Sequence, residues 1–170
     1  MINKMASLNY IFWLKSSLPE QVFKEPKVLL FNEFYSMLDN EMWPLLQYLA
    51  KKNNDQAIYV SDISRVRRTW KGEKNIISIP VTTHKKNYLS IMDNHSLNVE
   101  PEQIIWFSDS ASWGIWAERT WDICILNNDF SNEYFGGWEK LNQDVLELIQ
   151  DKWIRGEYDQ NIDVLKRNYK

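Results

Sequence analysis

Apolar residues at Phe34, Leu38, Met42, Leu45 and Leu49 recur with gaps of four, four, three and four. That spacing puts them on one face of a helix. Asn32 suits its N-cap, and Lys51 and Lys52 suit its C-terminal end. Pro44 falls inside the pattern and predicts a kink or a split there. Ahead of it, the run LNYIFWL at 8–14 reads as a short strand or a docking turn. Ser16, Ser17, Pro19 and Glu20 break it. Residues 57–60 and 76–81 read as strands, the first following an Asn53-Asn54-Asp55 turn. The polar stretch 84–100 offers a short strand at 88–92.

The most regular pattern lies at 104–126, IIWFSDSASWGIWAERTWDICIL. Strands at 104–108, 113–119 and 121–126, joined by turns at 109–112 and at Thr120, predict an antiparallel meander. The third strand is apolar on both faces, as a central or helix-covered strand must be. Asn127-Asn128-Asp129 ends the sheet, and Gly136-Gly137 precedes a helix carrying Leu141, Val145, Leu148 and Ile149. Lys152 and Arg155 fit its last turn and Gly156 its C-cap. Ile162 and Leu165 predict a short final helix. No internal repeat is visible. The pattern gives a single α+β domain over residues 1–170. It has an N-terminal helical segment, a mixed or antiparallel sheet with a Trp-rich C-terminal meander, and a covering C-terminal helix.

Composition supports an ordered interior. The 170 residues are 44% hydrophobic and 14% aromatic, with five Gly and five Pro, which argues against disorder. Four of the nine tryptophans sit in the meander. The single cysteine, Cys124, lies between Ile123 and Ile125, so a buried thiol is expected and no disulfide framework exists. The apolar run at 10–14 is too short for a membrane span or a signal peptide. The expectation is a cytoplasmic protein with no membrane partner.

Net charge is −3, but unevenly spread. Residues 62–86 carry seven Lys/Arg against two Asp/Glu, and residues 102–163 carry four against thirteen. Such asymmetry speaks to partners more than to fold. His84 and His95, with one distant cysteine, lack metal-ligand spacing. There is no phosphate-binding glycine loop and no nucleophile elbow. The reading is a protein without catalytic residues, metal or cofactor. Glu118 and Asp122 on adjacent strands would suit a glycosidase pair, but a charged hairpin end with a local ion pair explains them more simply. Arg65, Arg67 and Arg68 with Trp70 point weakly to nucleic acid, against the acidic balance of the whole chain. Strand parity puts Trp113, Ile115, Ala117 and Arg119 on one face, and Gly114, Trp116 and Glu118 on the other. The Trp113 face reads as the more buried. Trp116 with Asp109, Glu118 and Asp122 is then the expected exposed margin, where an aromatic among charges suits a protein partner.

Trp106-Phe107-Ser108-Asp109, Trp113-Gly114-Ile115-Trp116, Glu118-Arg119 and the apolar strand 121–126 together resemble a feature of small bacterial immunity proteins. Those proteins belong to polymorphic toxin and contact-dependent growth inhibition systems. The resemblance implies a cytoplasmic protein that binds one cognate toxin domain and blocks it stoichiometrically, with neither catalysis nor cofactor. Many such toxins are nucleases with basic clefts, which an acidic patch would meet. Asp109, Trp116, Glu118, Asp122, Asp129 and Glu133 are the expected contact residues. The basic 62–86 segment would instead meet an acidic toxin surface. A non-catalytic adaptor, or a glycan-binding or glycan-active protein using the tryptophans, is the alternative. The oligomeric state is not read from the sequence.

Overall fold

The structure, a computed structural model, describes residues 3–39, 41–68, 72–130, 133–150 and 157–169. Its elements are α1 (Lys4–Ile11), β1 (Val28–Glu33), α2 (Met42–Lys52), β2 (Ala57–Asp62), α3 (Ile63–Arg68), β3 (Ile77–Pro80) and α4 (Lys85–Asn94). After them come β4 (Gln103–Ser108), β5 (Gly114–Glu118), β6 (Ile123–Asn128), α5 (Gln143–Gln150) and α6 (Glu157–Asn168). The strands form one six-stranded sheet in the order β1-β6-β5-β4-β2-β3, and every adjacent pair is antiparallel. The α+β class and the meander β4-β5-β6 are as the sequence predicts. β6 lies inside the sheet between β1 and β5, which is why both of its faces are apolar.

Alternation along the strands divides the interior into two cores, one on each side of the sheet. Trp106, Trp113, Ile115, Cys124 and Leu126 pack under α2, α4 and residues 133–138. Ile105, Phe107, Trp116, Ile123 and Ile125 pack under α1, the segment 12–23, α3, α5 and α6. The polar handles of the buried aromatics are matched locally. Trp106 Nε1 donates to the Tyr88 hydroxyl at 3.1 Å, and Tyr88 stacks on Trp43 at 5.0 Å.

Four local expectations are corrected. The 8–14 run is mainly helical, because Asn3 caps α1 by accepting from the Met5 and Ala6 N–H groups. Leu8 and Ile11, three apart, then face the sheet together. The long helix predicted over 34–49 is two pieces, a 3-10 turn at Phe34–Leu38 and α2. Asn32 is therefore a strand residue, not a cap. Pro44 sits in the first turn of α2, where its missing N–H costs nothing. The strand expected at 88–92 is part of α4, and Tyr88 and Met92, four apart, are both buried. The sequence reading also missed β1 itself, whose VLLF run lies just ahead of the residues read as that helix. Both C-terminal helices form, with Asn142 Oδ1 accepting from the Val145 N–H at 2.9 Å, but Leu141 precedes α5 instead of lying in it and α6, at 12 residues, is longer than the short helix expected. Lys152, Arg155 and Gly156, predicted to end α5, lie outside the described residues, as does Trp70.

Candidate functional site

The six expected contact residues do not form one patch. Asp109 lies in the β4–β5 turn and Asp129 just past β6, at one end of the meander. Glu118 and Asp122 lie at the other end, where β5 turns into β6. β5 alone separates the two ends by about 15 Å. Glu133 belongs to a different surface, beside α2.

Trp116 is fully buried, and Glu118 and Asp122 are 6% and 7% exposed. This corrects the exposed margin expected from the sequence. Parity sorted the two faces properly, but the segment 12–23 covers the Trp116 face with Phe12, whose ring lies 5.9 Å from that of Trp116. Glu118 is a structural acceptor. One carboxylate oxygen takes the Trp116 indole N–H at 3.0 Å and the Leu18 backbone N–H at 3.1 Å. Burial pushes its carboxyl above the usual range, although those hydrogen bonds and the nearby Arg67 charge pull it down. Asp122 adopts a left-handed conformation with φ of 53°, and its carbonyl accepts from the Phe34 N–H at 2.9 Å. Asp109 accepts from the Tyr59 hydroxyl, and burial with this bond pushes the phenol well above its usual value. Asp129 is exposed and paired with Lys27 at 2.7 Å.

The neighbouring cations are also engaged. Arg119 does not turn to Glu118. It donates to the carbonyls of Pro101 and Asn98 and to the Tyr35 hydroxyl, with its guanidinium 4.8 Å over the Phe34 ring. Arg67 ties α3 to the carbonyls of Leu14 and Ser16 and to Gln103. Arg65 pairs with Asp62 and Glu100. Two of the three arginines expected to form a basic stretch are thus committed within the fold. All four meander tryptophans are buried, so none offers a sugar-stacking surface. Cys124 is buried as expected, its thiol facing the carbonyls of Asn32 and Glu33.

The surface that remains open is a groove of about 970 Å³ between the 3-10 turn, α2 and residues 133–138. Asp39, Glu41 and Glu133 line it together with Tyr48, Tyr134 and Trp138, and its described lining holds no Lys or Arg. Tyr134 is 88% exposed. Glu133 accepts from the Tyr48 hydroxyl at 2.7 Å and is paired with Lys52, while Glu41 is paired with Lys85. Asp39 Oδ1 accepts from the Glu41 N–H at 3.0 Å in the turn ahead of α2. Gly136 and Gly137 build one wall, and Gly137 has φ of 76°, which a side chain rarely adopts. Beside it Trp138 is buried, and its indole N–H has no hydrogen-bond acceptor among the described residues. Glu133 is the one expected contact residue in this groove. Sequence reasoning missed the others, because Asp39 and Tyr134 are far apart in the chain and only the packing of residues 133–138 on α2 brings them together.

Among the described residues no helix is long and apolar enough to cross a membrane, and no group of three metal-ligating side chains converges. No protein-family profile, curated protein or solved structure matches the chain.

Proposed function

We propose that this chain is an immunity-type protein, a stoichiometric inhibitor that binds a toxin domain in the cytoplasm and blocks it. The observation that carries the reading is the acidic, tyrosine-lined groove beside α2. Tyrosine gives large contact area at low entropic cost, and carboxylates steer a basic partner and set register. The partner is a toxin domain with a basic surface, a nuclease cleft being the favoured class. The lysines that flank Glu41 and Glu133 make solvent-accessible pairs, half-buried at Glu133, which can be exchanged for a partner's cations.

The test is calorimetry and toxicity rescue with the toxin domain encoded beside this chain. Tight binding with rescue is the expected result, and the double reversal D39K/E133K should weaken it by about tenfold or more. Binding without rescue would point to an adaptor instead. If no neighbouring effector binds, the immunity reading is wrong.

A further inference from the structure

A second cavity, of about 690 Å³, lies on the opposite side of the sheet, at the free edge of β1, and its charge is reversed. Lys27, Lys140 and Lys166 line it, and among the described residues no carboxylate does. The three lysines come from separate segments: the approach to β1, the lead into α5, and the last turn of α6. Lys27 is held by Asp129. Among the described residues neither Lys140 nor Lys166 has a carboxylate within ion-pair distance. Leu29, Leu141 and Leu146 give the cavity an apolar floor.

The backbone adds a second, independent feature. Phe31 exchanges both of its hydrogen bonds with Glu139, on the edge of β1 that faces away from β6. Alternation along an antiparallel strand then turns the N–H and C=O of Leu29 to that same edge. The chain that pairs with Phe31 does not continue alongside, because residues 141–142 turn away into α5. Leu29 therefore presents peptide groups into the cavity, next to leucines and beneath lysines. A small anion would use the lysines alone. An extended peptide would use all three features: the edge by main-chain pairing, the floor by apolar side chains, and the lysines by alternate acidic ones.

We infer that this cavity is a docking site for an extended, acidic segment of a partner protein, which adds to the β1 edge at Leu29. The inference does not depend on the acidic groove or on toxin binding, since the two surfaces share no lining residue.

The probe is a fluorescein-labelled peptide of about eight residues, a typical strand length, alternating Glu and Val. Anisotropy titrations with the whole chain should show saturable binding, and an uncharged peptide alternating Ser and Val should bind about tenfold or more weakly. The exposed-face double reversal K140E/K166E should weaken binding by about tenfold or more. The Leu29 amide should gain protection from hydrogen exchange when the peptide is bound. Lack of saturable binding, undiminished affinity in K140E/K166E, or an unprotected Leu29 amide would each overturn the proposal. Equal affinity for a single-stranded oligonucleotide would overturn it too, by showing a general polyanion surface. D39K/E133K should leave the peptide affinity unchanged, so failure here and failure of the toxin reading are told apart.

Discussion

Glu118 shows how much a single buried carboxyl can be asked to do. It takes two N–H donors on one oxygen, yet burial outweighs them and raises its carboxyl above the ordinary range. A raised carboxyl holds its proton more tightly in the folded chain than in the unfolded one. The stability this provides is complete below the unfolded value and is lost as pH rises through the folded one. Gln at this position keeps an oxygen for the Trp116 and Leu18 donors and removes the titration. Thermal melts across pH should then show E118Q gaining on the parent protein as pH rises from the acid range towards neutrality. A difference that stays constant with pH would show that Glu118 is solvated. The charge pattern around Glu118 is plain in the sequence. Its burial is not, because the covering residues, Phe12 and Leu18, lie a hundred positions away.

At the scale of elements, local periodicity was informative wherever one element followed its own repeat. The meander, α5 and α6 could be read because strands alternate and helices repeat every three to four residues within an unbroken stretch. β1 could not, because its VLLF run is apolar without alternation and it runs straight into Phe34, where a false helical face begins. α1 was obscured for another reason: its repeat covers only Leu8 and Ile11, too few positions to separate helix from strand. The contact that fixes α1 is more specific than its pattern. A Cβ at Gly114 would lie 2.8 Å from both Ile11 Cγ2 and Phe12 Cζ, so α1 rests on β5 only where β5 has no side chain. G114A should cost about 1–3 kcal/mol in denaturant unfolding, through overpacking at this seam. An unchanged midpoint would mean that α1 docks loosely.

For the whole molecule, the sheet belongs to both cores at once. Trp106 and Phe107 are neighbours in β4 yet point into different interiors. Loss of either layer uncovers the strands that the other layer needs, so the layers should unfold together. Tryptophan fluorescence and far-ultraviolet circular dichroism should report one coincident transition in urea; two separated transitions would refute the coupling. The groove beside α2 also exists only at this scale. Its acidic lining comes from distant parts of the chain, Asp39 and Glu41 between β1 and α2 and Glu133 after β6. A linear reading placed the binding surface on the meander, where the aromatic density is highest. Folding consumes that density as core, and the open groove is lined instead by sparser residues that the long-range packing of 133–138 on α2 assembles.

Cys124 turns the same architecture into a clock. Burial raises its thiol well above the ordinary value, and the thiol lies against the Asn32 and Glu33 carbonyls of β1. The sulfur can meet a modifying reagent only when the structure around it opens, at the β1–β6 seam or in the layer that covers it. With one cysteine in the chain, the rate of thiol modification in native buffer becomes a direct reading of how often that region opens.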